Sequence, residues 1–148
     1  SAVDLLHSSQ SQPTSSLFRI SFETPCTFKV AGRYVLFPSE KLIVQSLFQR
    51  WNGLMECTMQ DEEALQMLTA GLTISRYRLH SQEYRIKGQR INGFSGSVEI
   101  FARLSPPMQE LWKLLLEFAP YGGIGIKTAL GMGAVTTEPV LPKQNNYD

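Results

Sequence analysis

Two amphipathic stripes constrain this chain more than any other feature. Val44, Leu47, Phe48 and Trp51 recur at i, i+3, i+4 and i+7, and Met108, Leu111, Trp112, Leu115 and Phe118 repeat the pattern later. A helix with such a stripe needs an apolar surface to cover it, and segments of period two supply one. Phe18, Ile20 and Phe22 alternate with Arg19, Ser21 and Glu23 ahead of the first stripe. Between the stripes, Leu72 to Arg90 interleaves Ile74, Tyr77, Leu79, Tyr84 and Ile86 with basic residues, and Phe94, Val98, Ile100 and Ala102 share one parity. Ala134 to Glu138 reads as a last strand. The order β, α, β, β, α, β is the split pattern of an α+β, ferredoxin-like (RRM-like) fold, with an antiparallel sheet and its helices on one face.

Local signals place the element ends. Ser39, after Pro38, reads as the N-cap of the first helix and Asn52-Gly53 as its end. An extra short helix is expected from Asp61, with Glu62 and Glu63 at the positive end of its dipole and Gly71 as its stop. Ser105-Pro106 opens the last helix as cap and first-turn proline, and Pro120 is expected to stop it. Thr24-Pro25 punctuates the first strand, Ala31-Gly32 turns the chain so that Tyr34 to Phe37 pairs back, and Asn92-Gly93 is the expected turn of the central hairpin.

At 148 residues the chain has the size of one domain. Residues 1–16 hold six serines and Pro13 and read as a flexible lead-in or linker, 17–140 as the domain, and 141–148 as a polar tail. A composition of 43% hydrophobic and 18% charged residues excludes a disordered acidic chain and a coiled coil. Cys26 and Cys57 are too few and too far apart for a disulfide scaffold or a zinc site. No apolar run approaches the roughly 18–20 residues of a spanning helix, so a cytoplasmic protein with no membrane partner is expected.

The net charge of +1 conceals an uneven distribution. Residues 39–71 hold five acidic against two basic side chains, whereas 72–90 hold Arg76, Arg78, Arg85, Lys87 and Arg90 against Glu83 alone. Arginine bonds phosphate through a planar fork and stacks on bases, so these four arginines, with the Lys87 ammonium, are candidate RNA contacts; solvated surface cations are the plainer reading. The second candidate is Gly122 to Gly133, with five glycines in twelve positions. Gly122, Gly123, Gly125, Gly131 and Gly133 can bring backbone N–H groups close to phosphate oxygens, with Lys127 and Thr128 between them. Alternatively the glycines merely permit a tight crossing between helix and strand. Ile126 before Lys127-Thr128 excludes a P-loop, and no G-x-G-x-x-G follows a buried parallel strand. Carboxylates show no paired metal-ligand spacing, and no cofactor is expected.

Among groups able to move a proton, His7 lies in the lead-in with no scaffold to hold it. His80, at the end of the basic strand, and Tyr34 are the remaining catalytic candidates, and each also fits a surface or packing role, as does Tyr121. Asn92 to Val98 supplies a single aromatic, too few for the base-stacking sheet face of an RNA-recognition motif.

Taken together, several of these features resemble one known family. They are Gly123-Ile124-Gly125 and Gly131-Met132-Gly133 before a last strand, Pro38 opening a helix that ends near Arg50-Trp51-Asn52, the strand broken at Thr24-Pro25, and Gly93-Phe94-Ser95-Gly96. Over about residues 15–140 the chain is similar to the C-terminal half of the CRISPR-associated endoribonucleases of the RAMP superfamily, which process precursor crRNA. Ile126 occupies a place often basic in relatives. The resemblance implies two ferredoxin-like domains in tandem and metal-independent cleavage, in which a ribose 2′-OH attacks the adjacent phosphate to give a 2′,3′-cyclic phosphate. It implies as partners CRISPR repeat RNA, an N-terminal domain carrying a catalytic histidine and other CRISPR effector subunits, and a homodimer is a separate expectation. This chain, as the C-terminal half, is expected to bind repeat RNA and to cleave poorly or not at all alone. The alternative is a non-catalytic ferredoxin-like module for protein interaction or a small ligand.

Overall fold

The computed structural model describes residues 12–54 and 62–141. The elements are β1 (Thr14–Cys26), β2 (Phe28–Val30), β3 (Arg33–Val35), α1 (Glu40–Leu54), α2 (Glu62–Gly71), β4 (Leu72–Ile86), β5 (Gln89–Leu104), α3 (Pro106–Gly122) and β6 (Val135–Pro139), with a turn of 3-10 helix at Thr128–Leu130. The main sheet has the antiparallel order β4-β5-β1-β6, and β2 pairs only with β3. This is the ferredoxin-like arrangement, with the helices on one sheet face.

The periodicities meet in that layer. Ile20 and Phe22 of β1 and Val98, Ile100 and Ala102 of β5 are buried against Val44, Leu47 and Phe48 of α1 and Trp112, Leu115 and Leu116 of α3. Phe94 joins them, edge-on to Phe22 at 5.0 Å between ring centroids. On the open face, Arg19 bonds Glu99 of β5 at 3.0 Å and Glu138 of β6 at 2.8 Å, stapling three strands. The Ser39 hydroxyl accepts the Leu42 N–H at 3.2 Å, as a cap should.

Several boundaries differ from the sequence reading, each for a physical reason. The first strand begins at Thr14, inside the 1–16 segment: Thr14 to Ser16 pair with Leu104 to Ala102, and Gln109 bonds Thr14 and Ser16. Serine-rich composition hides a strand whose stabilising partners are distant in sequence. Thr24-Pro25 does not end β1 but marks an irregularity in its pairing with β5, between Phe22 and Cys26. The central hairpin turns at Lys87-Gly88, with φ of 49° and 82°, instead of at Asn92-Gly93. Asn92 and Gly93 sit inside β5 opposite Glu83 and Gln82. A Cβ on Gly93 would lie 2.8 Å from the Cys26 carbonyl oxygen, so that glycine serves close packing of two backbones.

At α3, Ser105 holds the N-cap position through its backbone, accepting the Gln109 N–H at 2.8 Å, while its hydroxyl makes no capping bond. Pro120 lies within the last turns of α3 and does not stop it. A proline there removes the donor for the Leu116 carbonyl. The Thr137 hydroxyl of β6 donates to that carbonyl instead, at 3.0 Å. No helix among the described residues is long and apolar enough to cross a membrane. His7, Cys57, the Asp61 helix start, most of the lead-in and the tail from 142 lie outside the described residues.

Candidate nucleic-acid interface

The glycine-rich segment leaves α3, crosses the end of β1 and enters β6. Most of its N–H groups are bonded within the protein. Gly123 N–H donates to the Ala119 carbonyl, Ile124 to Gly133, Ile126 to Thr27, Gly131 to Thr128 and Gly133 to Pro25, at 2.8–3.0 Å. Gly125 N–H is taken by the Ser46 hydroxyl at 2.8 Å and Ala134 N–H by that of Thr24 at 2.9 Å. The glycines are there for close approach. Gly133 has φ of 65°, and a Cβ on it would stand 1.9 Å from the Ile124 carbonyl oxygen. Gly122, Gly123, Gly125 and Gly133 are all buried. The segment is therefore a packed platform and does not offer its glycine N–H groups to a ligand.

What the platform offers lies at its outer bend. Among the described residues, only the N–H groups of Lys127, Thr128 and Ala129 in the stretch from Gly123 to Ala134 lack an acceptor. They surround the exposed Lys127 side chain, whose backbone is left-handed at φ 55°. Unshared N–H groups beside an ammonium suit an anionic oxygen. Thr128 contributes differently, since its methyl packs over Gly123.

Sequence reasoning missed the residues that hold this bend. Arg50 of α1 donates through Nη2 to the Gly125 carbonyl at 2.5 Å. The Tyr84 hydroxyl of β4 donates to the Leu130 carbonyl at 2.9 Å, and the Thr24 hydroxyl to Gly131 at 2.6 Å. Ser46 and Arg50, four apart on α1, flank the apolar stripe as a polar pair, and that was the legible signal. Arg50 has no carboxylate partner among the described residues, so its charge adds to that of Lys127. A groove of about 290 Å³ opens between α1 and the β2–β3 hairpin, walled by Gly125 and Ile126 and lined by Lys29, Gln45, Gln49 and Arg50 with no acidic side chain.

The basic strand does not form one face. An irregularity between Ile74 and Arg76 flips the parity of β4. Arg76 and Arg78 consequently lie on the open face opposite Glu99 and Ser97. Arg85 sits on the other side of the hairpin, opposite Arg90, which stands 3.9 Å from Glu83. Lys87 occupies the turn. His80 is exposed opposite Ser95 and makes no hydrogen bond or ion pair among the described residues. Tyr34 is exposed on β3 with the Lys29 ammonium 5.5 Å from its ring centroid. Nothing joins His80 and Tyr34 into one constellation. Among the described residues no group of three His, Cys, Asp or Glu stands together as a metal site.

A family model described as CRISPR-associated endoribonuclease Cas6 matches residues 20–135. A CRISPR-associated endoribonuclease Cas6 of Streptococcus thermophilus is 39% identical over 135 residues, covering 90% of this chain and 56% of its own length. One from Mycobacterium tuberculosis is 30% identical over 133 residues, covering 90% and 42%. The chain thus spans about half the length of the curated relatives it matches. A solved Thermus thermophilus Cas6 (TTHB231) is similar with a TM-score of 0.73 at 25% identity, covering 93% of this chain and 58% of that one. A Cas6 (TTHA0078) product complex gives 0.72 at 25% identity, covering 87% and 53%.

Proposed function

The chain belongs to the CRISPR-associated endoribonuclease Cas6 family, and on that premise we propose that it is the RNA-holding C-terminal half of an enzyme that matures precursor crRNA. The observation that carries this reading is the bend at Lys127, where one exposed ammonium and three N–H groups without an acceptor stand on a packed platform. The groove lined by Lys29 and Arg50 continues the cationic surface beyond Ile126. Arg76, Arg78, Arg85, Lys87 and Arg90 are proposed as longer-range phosphate contacts from both sides of the β4–β5 hairpin.

In the proposed reaction a ribose 2′-OH attacks the adjacent phosphorus, the P–O5′ bond breaks, and a 2′,3′-cyclic phosphate and a 5′-OH are formed. A base must take the 2′-OH proton and an acid must supply one to the leaving oxygen. This chain's share is to fix the phosphates and to stabilise the charge that builds on them. The proton transfers are assigned to an N-terminal ferredoxin-like domain, since His80 and Tyr34 are each exposed and far from forming a pair. That domain, repeat RNA and other CRISPR proteins are the proposed partners.

Affinity for repeat RNA measured against salt tests the reading. Each phosphate neutralised contributes about −0.7 to the log–log slope for a single strand. Lys127→Ala is expected to reduce the slope by about that amount and to weaken binding, with an unchanged melting temperature. A flat salt response, or an unchanged slope in Lys127→Ala, would favour the small-ligand module.

A further inference from the structure

Phe94, the one aromatic between Asn92 and Val98, is buried in the core at 2% exposure and cannot stack a base. Aromatic surface is exposed elsewhere beside the arginines. Tyr77 of β4 is 61% exposed and Phe37, just before α1, is 51% exposed, and the two rings meet at 90° with centroids 5.3 Å apart. From this pair we infer that Phe37 and Tyr77 form a stacking corner for an unpaired nucleobase of the bound RNA. The inference rests on the RNA-binding reading above and adds to it a site for unpaired rather than duplex RNA.

The corner is built and held. The irregularity at Ser75 takes Tyr77 to the helix side of β4, beside Phe37, and puts its neighbours Arg76 and Arg78 on the opposite side of the same edge strand. The Glu40 carboxylate accepts the Ile74 N–H at 2.9 Å, which ties the start of α1, and with it Phe37, to β4. Perpendicular rings leave an angle in which a base stacked on one ring meets the other edge-on. A base in a duplex has no free π-face to offer, whereas every unpaired base has one.

Charge selects the occupant. Neither Arg76 nor Arg78 has a carboxylate within ion-pair distance among the described residues. The nearest acid across the strands, Glu99, is held by Arg19 at 3.0 Å, and Glu40 is engaged with Ile74. Two uncommitted guanidinium groups on the reverse side of the edge strand that carries the ring favour a ligand whose phosphates can round that edge while a flat base rests on the ring, over an apolar protein surface.

The test is fluorescence anisotropy of the 148-residue chain with two probes, a short single-stranded oligouridylate and a fully paired RNA hairpin. Tyr77→Leu keeps the apolar bulk and removes the ring. It is expected to weaken the single strand about tenfold while leaving the hairpin within about twofold, and Tyr77→Trp to restore single-strand affinity. Equal affinity of Tyr77→Leu and the wild type for the single strand would overturn the inference, as would a Tyr77→Trp variant no better than Tyr77→Leu. Self-association of the wild type that Tyr77→Ser abolishes, with single-strand affinity unchanged, would assign the corner to a protein contact and overturn it too. Dependence on Lys127 without dependence on Tyr77 would leave the nuclease reading standing and this inference overturned, whereas no binding of either probe by the wild type would overturn both.

Discussion

Lys127 shows how a single backbone angle can set stability against a proposed binding role. A lysine at φ 55° is held in a region that L-residues disfavour by roughly 1–2 kcal/mol. Glycine adopts that angle freely. Lys127→Gly is therefore expected to melt no lower than the wild type while losing RNA affinity as Lys127→Ala does, a dissociation that thermal unfolding and anisotropy on the same preparation would reveal. Gly133 is the opposite case. Its φ of 65° and the Ile124 carbonyl oxygen 1.9 Å from where a Cβ would stand leave no room for a side chain. Gly133→Ala is expected to cost about 2–4 kcal/mol in urea unfolding, and a loss below about 1 kcal/mol would mean that the platform is soft.

Among the elements, the join between α3 and β6 is the most testable. Pro120 leaves the Leu116 carbonyl without its helical donor, and the Thr137 hydroxyl supplies one from the next strand. Thr137→Val preserves the strand's branched side chain and strands that carbonyl, at an expected cost of about 1 kcal/mol. Pro120→Ala returns the N–H, so in the double variant the Thr137 penalty should vanish; additive effects in a double-mutant cycle would show that the two do not share the carbonyl. The same scale shows what the sequence could and could not tell. The stripes on α1 and α3 were legible because periodicity records burial directly. The hairpin turn was not, since Asn92-Gly93 and Lys87-Gly88 are both plausible turns locally and only the distant contact of Gly93 with Cys26 excludes the first. The sides taken by Arg76 and Arg85 depend on an irregularity at Ser75 that no local pattern announces. The glycine segment was recognisable as special, yet the N–H groups of Gly125, Ile126 and Gly133 bond Ser46, Thr27 and Pro25, partners far away in sequence that no local pattern reveals.

For the molecule as a whole, Cys26 reports the integrity of the core beneath that segment. Its thiol donates to the Ile124 carbonyl at 3.3 Å, and burial pushes its pKa up from the ordinary 9.0. The folded state thus keeps the proton while the unfolded chain loses it. The associated stability is fully present below pH 9.0 and falls as pH rises above it, by up to about 1.4 kcal/mol per unit until the folded thiol itself ionises. Urea unfolding at neutral pH and above pH 10 should show that loss in the wild type, and Cys26→Ala should lose less; equal losses would place the alkaline sensitivity elsewhere. The bonds of Ile126 to Thr27 and Gly133 to Pro25 have a consequence for synthesis. They join stretches about a hundred residues apart, and contacts of that range form late because the loop must close first. A nascent chain displays its arginines long before Lys127 has a platform to stand on. The proposed grip on an anion at the bend is therefore a property of the folded chain alone, and none of its partly folded forms has the shape for it.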